Sequence, residues 1–238
     1  MRTERRRRRW SGVVVLVLTA AILGAWAVAA SPLFHVRDIL VRGNRHLSTS
    51  EVVRLAGVGR DDSLLTVQSG RVRKGLARSP WIRTVEVRRE LPWTLVVTVE
   101  ERRPVAWVRH PGGIAVVAGD GTVLARRQNS PQGVAEMAAW DRKLRPGERL
   151  EGREEPLTVL ASLPSRLLRR VERASMRRGE VVLHLADGAR VLYGEARSLE
   201  AKNAALARVL RWAGGQGPRL EYVDLRVPRN PAVRVRGA

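Results

Sequence analysis

SPWIRTVEVRRELPWTLVVTVEERRPVA, residues 79–106, decides the fold of the first half of this chain. Val85 and Val87 alternate with polar residues in one run, and Leu95, Val97 and Val99 in the next. That period of two marks half-buried strands. The five residues RRELP, 88–92, supply a hairpin connection, with Pro92 at the start of a strand, where a missing N–H is tolerated. Upstream, FHVRDILVRGN, residues 34–44, is a strand closed by the turn pair Gly43-Asn44. Two helices fall between. STSEVVRLAG, 48–57, has Ser48 with Glu51 three residues on, a capping box, and Gly57 as its stop. SGRVRKGLARSP, 69–80, is a second short helix ended before Pro80 and weakened by Gly75. Residues 34–103 therefore read strand–helix–helix–strand–strand, with Ile39, Val41, Val85, Val87, Leu95 and Val97 in the core.

After Pro104 the punctuation changes. PVAWVRH, GIAVVAG and GTVLARR are three short strands, separated by Gly112-Gly113 and by GDG at 119–121. Gln128 to Glu155 is polar and reads as irregular. Leu157 to Leu168 carries helical spacing broken by Pro164. EVVLHLADGARVLYGE, 180–195, is a hairpin around Asp187-Gly188. RSLEAKNAALARVLRWAGG, 197–215, is a helix with Leu199, Leu206, Val209 and Leu210 as its apolar stripe and Gly214-Gly215 at its end. Last comes LEYVDLRVPRN, 220–230, in which Tyr222, Asp224 and Arg226 alternate with Val223, Leu225 and Val227 before Pro228 and Pro231 close the run. A strand that follows a helix must return to an existing sheet. As the last to join, it is expected at an edge, where unpaired N–H and C=O groups invite a partner. The chain is α+β, with inserted helices in a strand-rich second domain.

The opposite end carries a different signal. Arg5, Arg6, Arg7, Arg8 and Arg9 form a basic block, and Gly12 to Ala30 follow as nineteen residues without a charge. As a helix at about 1.5 Å per residue they extend roughly 28 Å, the thickness of a bilayer's hydrocarbon core. Trp10 and Trp26 lie near the two ends, where indole rings favour the headgroup level. Beyond the run the charge is sparse, with Arg37 and Asp38 in the next eight residues. The positive-inside rule puts the N-terminus in the cytoplasm and residues 31–238 outside, behind a single uncleaved anchor. A signal peptide cleaved after Ala29 is the rival reading, but its apolar region usually runs only about 7–15 residues. The implied organisation is a basic tail at 1–11, a transmembrane helix at 12–30, a first exported domain at 34–103, a second at 104–228, and a tail at 229–238.

Forty-four Lys+Arg against 23 Asp+Glu give a net charge of +21, yet only Lys74, Lys143 and Lys202 are lysines. That bias reflects a GC-rich coding genome more than a mechanism. Outside the N-terminus the arginines are scattered over strands and helices alike, which argues against nucleic-acid binding. There is no cysteine, so no disulfide, thiol nucleophile or Cys-type zinc site. His35, His46, His110 and His184 are too far apart for metal-binding spacings. Glu100 and Glu101, as neighbours in a strand, point to opposite faces and make no catalytic pair. G-x-S-x-G and Walker motifs are absent. No enzyme, cofactor or metal is implied.

These stretches, in this order, resemble the FtsQ/DivIB family of bacterial cell-division proteins. The first exported domain resembles the POTRA module. FHVRDILVRGN, SPWIRTVEVRRELPWTLVVTVEERRPVA, GDGTVL, YGEARSLEAKNAALARVL and YVDLRVPRNPAVR carry the likeness over nearly the whole chain, and the arginine bias suits an actinobacterial member. The resemblance implies a non-enzymatic divisome scaffold at the septum that binds FtsB/DivIC-like and FtsL-like single-pass partners. It implies a POTRA domain that aids recruitment and a second domain of FtsQ type that receives a partner segment beside its final strand. On this sequence that segment falls on Tyr222, Val223, Asp224, Leu225, Arg226 and Val227, with Tyr222 the natural anchor. Val227-Pro228 after YVDLR brings no further aromatic residue, so the contact here is smaller or differently centred. The alternative from another class is an envelope POTRA protein that chaperones or transports exported polypeptides through strand edges. A membrane-anchored basic protein that binds anionic wall polymers or lipid is a third reading, for which only Arg5 to Arg9 supply a cluster.

Overall fold

The structure is a computed structural model that describes residues 15–24, 34–59, 62–214 and 217–237. Residues 15–24 are helical. Among the described residues no helix is long and apolar enough to cross a membrane. Arg5 to Arg9, Trp10, Trp26 and most of the expected 12–30 span lie outside the described residues. The chain divides into two compact units, Met1–Glu101 and Arg102–Ala238.

In the first unit, β1 (Asp38–Arg42), β2 (Ile82–Glu90) and β3 (Thr94–Glu101) form a sheet in the order β1-β3-β2. β1 runs parallel to β3, with Asp38 opposite Thr94, and β2 is antiparallel to it. Helices α1 (Thr49–Ala56) and α2 (Ser69–Leu76) complete the βααββ order read from the sequence. The caps form as expected. Ser48 Oγ accepts the Glu51 N–H at 3.2 Å, and the Glu51 carboxylate accepts the Ser48 N–H at 2.8 Å. The Ser48 N–H, and the Ser48 hydroxyl donating to the same carboxylate at 2.8 Å, hold the Glu51 carboxyl below its usual range. Gly57 ends the helix at φ 64°, a left-handed conformation that favours glycine.

Val87, Leu95 and Val97 are buried with Val52, Leu64, Val72 and Leu76, while Ile39, Val41 and Val85 pack against this core half-buried. Each fully buried aliphatic side chain contributes about 1.5–3 kcal/mol. The hairpin connection is Leu91-Pro92-Trp93 rather than RRELP, because β2 runs on to Glu90. Gly75, a weak helix former, has a packing reason: a Cβ there would overlap the backbone carbonyl of Leu55. Glu101 is distinct from Glu100, as the alternation requires. Its carboxylate accepts the N–H groups of Arg45, His46 and Leu47 at 3.1, 2.7 and 3.0 Å. Glu100 instead takes the Thr84 hydroxyl at 3.0 Å.

Among the described residues, the second unit is built on nine strands. β4 (Pro104–His110), β5 (Gly113–Ala118) and β6 (Val123–Arg127) form one antiparallel meander, and β8 (Val171–Arg177), β9 (Glu180–Leu185) and β10 (Arg190–Gly194) another. β7 (Ala135–Met137) joins them, parallel to both β4 and β8. β11 (Leu220–Asp224) and β12 (Ala232–Val235) extend the far side, giving the order β12-β11-β10-β9-β8-β7-β4-β5-β6. Helices α3 (Glu154–Ser162), α4 (Ser165–Leu168) and α5 (Leu199–Trp212) supply Leu157, Leu160, Leu167, Leu206 and Leu210 to one core with the strands. β7 lies in the stretch read as irregular, and β8 is a strand the sequence reading did not find.

Candidate partner-binding edge

The C-terminal side of this sheet is positioned by a β10–α5–β11 crossover. Parallel neighbours require such a connection, and β10 pairs parallel with β11 through Arg190–Tyr222 and Val191–Val223. A buried polar cluster fixes α5. The Tyr193 hydroxyl donates to Asn203 Oδ1 at 2.9 Å, and Asn203 Nδ2 donates to the Ser162 carbonyl at 3.0 Å. Burial pushes the Tyr193 hydroxyl up to about 12. Lys202, 4% exposed, donates from Nζ to the Glu195 carbonyl at 2.8 Å and lies 5.1 Å from the Tyr193 ring centre. Burial pushes this ammonium below its ordinary value.

The six residues read as one docking strand do not share one role. Val223 and Leu225 are fully buried in the core and unavailable to a partner. Asp224 and Arg226 bind each other at 2.6 Å, and the Arg226 guanidinium also lies 3.8 Å from Glu180. The Arg226 side chain holds the Asp224 carboxyl below its usual range. Tyr222 is half-buried under the Arg234 guanidinium, 5.5 Å from its ring centre. Val227, 62% exposed, lies past the end of β11.

β11 is not the edge. It is covered on its outer side by β12, antiparallel, with Tyr222 opposite Arg234 and Asp224 opposite Ala232. The segment read as a tail carries the last strand. Pro228 and Pro231 do not end the sheet; they flank a reversal in which the Asn230 N–H reaches the Val227 carbonyl at 3.1 Å. The alternation in AVRV, residues 232–235, with a proline-bounded turn before it, was the available signal. The Arg236 N–H donates to the Arg219 carbonyl at 2.8 Å. By the parity of an antiparallel ladder, Ala232 and Arg234 then also face β11. The N–H and C=O groups of Val233 and Val235 point the other way, and no strand beyond β12 pairs with them among the described residues.

The histidines do not converge. His46 stacks on Trp81 at 3.5 Å, His184 Nε2 meets Ser175 Oγ at 3.2 Å, and His110 Nδ1 accepts the Leu144 N–H at 3.3 Å. No group of three or more metal-ligating side chains occurs among the described residues.

Residues 34–102 match the family model described as POTRA domain, FtsQ-type, so the first unit places the chain among POTRA-bearing proteins. Residues 105–226 match the model described as Cell division protein FtsQ/DivIB, C-terminal, and β12 lies just past that match. The chain belongs to the FtsQ/DivIB family of cell-division proteins. It is 29% identical to the cell division protein FtsQ of Streptomyces bingchenggensis, over 98% of this chain and 88% of that protein. It is 31% identical to the FtsQ of an Anaeromyxobacter species, over 98% of this chain and 85% of that protein. The FtsQ of Corynebacterium glutamicum is 25% identical over 85% of this chain and 90% of its own length. Members of this family are membrane-associated division scaffolds of the septum rather than enzymes, and this chain is a non-enzymatic component of the divisome.

Proposed function

We propose that this chain is a single-pass division scaffold with its N-terminus in the cytoplasm and residues 31–238 outside. In this reading it links the two sides of the membrane and receives FtsB/DivIC-like and FtsL-like partners along the open side of β12. The observation that carries the reading is the one-sided pairing of β12, which leaves the backbone groups of Val233 and Val235 pointing away from β11. A partner strand satisfies such groups by β-augmentation, where main-chain bonds supply affinity and flanking side chains supply selectivity. Tyr222 and Arg234 form an aromatic–cation pair beside this edge, and Arg226 and Val227 precede the turn into β12. The charge asymmetry around residues 12–30 supports the orientation.

The test is a photo-reactive side chain at Val235 in the full chain in its own cells. Crosslinking to an FtsB/DivIC-type protein, together with filamentation on depletion of the chain, is the expected result. Normal septation without the protein overturns the division role. Efficient crosslinking from β6 but none from β12 overturns the choice of edge.

A further inference from the structure

We infer that the N-terminal end of the POTRA unit is a membrane-resting foot, which seats the Leu91-Pro92-Trp93 tip and the cationic face of α2 against anionic phospholipid headgroups. The inference rests on the proposed anchor at 12–30. Phe34 is then four residues past the end of the span, within about 14 Å of it at roughly 3.6 Å per residue.

Backbone pairing gathers three features at that end. The Val36 N–H donates to the Asp62 carbonyl at 2.9 Å, and the Leu64 N–H donates to the Phe34 carbonyl at 2.7 Å. The α1–α2 connection therefore lies beside the point where the chain comes in. The Arg37 N–H donates to the Trp93 carbonyl at 3.0 Å, which brings the β2–β3 tip to the same end. Arg89 Nη2 reaches the Val67 carbonyl at 2.6 Å and ties the end of β2 to the start of α2.

The surface so assembled has the chemistry of a bilayer interface. Leu91 is 64% and Trp93 39% exposed, and the Arg37 guanidinium lies 5.0 Å from the Trp93 ring centre. An aliphatic tip, an indole and an arginine are the groups that settle at the headgroup level. From Gln68, next to the Val67 that Arg89 holds, a groove of about 550 Å³ runs along α2 to Arg78, with Leu55 to Gly57 on its other side. Arg71, Lys74 and Arg78 line it without a single acid. From Val67 to Lys74, the part of the chain that starts at this end, Arg71, Arg73 and Lys74 occur with no acidic residue. Charge complementarity selects an anionic occupant, and the apolar tip beside it selects a lipid surface over an acidic protein segment.

Because the chain has no cysteine, single probes can be placed cleanly. Leu91→Cys in the full chain, labelled with a polarity-sensitive fluorophore, is reconstituted in nanodiscs of phosphatidylglycerol and phosphatidylcholine. Arg45→Cys, exposed near the opposite end of β1, is the control. The expected result is blue-shifted emission at position 91, quenched by headgroup spin-labelled lipid, with neither effect at 45. Arg71→Gln with Lys74→Gln, both exposed, should shift the docking equilibrium about thirty-fold toward the solvated state, from about 1 kcal/mol per basic residue at an anionic surface. A solvated probe at 91 in a chain that co-floats with lipid overturns the foot alone. Failure of the chain to co-float overturns the anchor and the foot together. Equal shifts at 91 in anionic discs and in pure phosphatidylcholine overturn the role given to α2. A shift that appears only when partner proteins are added overturns the lipid as occupant.

Discussion

The parity of β12 makes a paired perturbation decisive. Val233 directs its N–H away from β11, whereas Arg234 lies opposite Tyr222 in the ladder and stacks on its ring. Proline is tolerated in a sheet only where the lost N–H faces outward on an edge. Val233→Pro therefore removes a donor that the folded chain does not use. It also gives up part of the packing of a half-buried side chain against the core, an expected cost of about 1 kcal/mol, or a fall in Tm of roughly 2–6 °C for a domain of this size. In a bound partner strand the same donor contributes about 0.5–1.5 kcal/mol, and the proline ring also blocks close approach. Affinity for a purified complex of FtsB/DivIC- and FtsL-type proteins should fall at least five-fold, from about 1 kcal/mol or more. Arg234→Pro breaks a ladder bond inside the molecule and removes the stack, so it should cost about 2 kcal/mol of stability before any partner is present. Thermal melts and calorimetric titration of the two variants separate the effects. A Val233→Pro chain that melts normally and binds normally refutes docking at this edge. Equal destabilisation by the two prolines refutes the assigned parity.

Three further outcomes are expected. Glu101→Ala strips the shared acceptor from the amides of Arg45, His46 and Leu47, and should cost about 2 kcal/mol, with faster hydrogen exchange at those three amides and no change at α2. Gly75→Ala gains about 1 kcal/mol of helix propensity but forces α2 away from the Leu55 carbonyl, an overpacking cost of about 1–3 kcal/mol, so urea melts should show net destabilisation. Asp224 has its carboxyl lowered from 3.8, chiefly by Arg226. A depressed folded value gives stability that is full above the unfolded value and lost as pH falls through the folded one. Asp224→Asn should therefore lower stability at neutral pH and flatten the acid limb of the pH–stability curve, and an unchanged acid limb would exclude this pair as its source.

What was legible follows the range of the interactions involved. The capping box at Ser48, the stop at Gly57 and the turn at Asp187-Gly188 depend on neighbours within four residues, and each stands where the sequence places it. The stripe of α5 is equally local, with Leu206, Val209 and Leu210 buried. β7 is a three-residue strand held from both sides by β4 and β8, and nothing within three residues distinguishes it from a loop. β8 alternates weakly, because VERASMR buries only Val171 and Ala174. The docking strand failed for a related reason. LEYVDLRV has the correct periodicity, and from Tyr222 to Arg226 the residues sort as the alternation says, with Val223 and Leu225 inward, while Val227 is exposed. Being an edge, however, is a property of the whole sheet, since it depends on whether any other segment pairs beyond. Pro228 and Pro231 look like terminators when read alone. With four alternating residues after them they become the turn of a hairpin, and the unpaired backbone moves from β11 to β12. Residues 229–238, which look dispensable in the sequence, thus hold the outermost strand of the sheet. A truncation at Pro228 would leave β11 in place beside β10 but would expose as a new edge the strand that carries Tyr222 and Asp224.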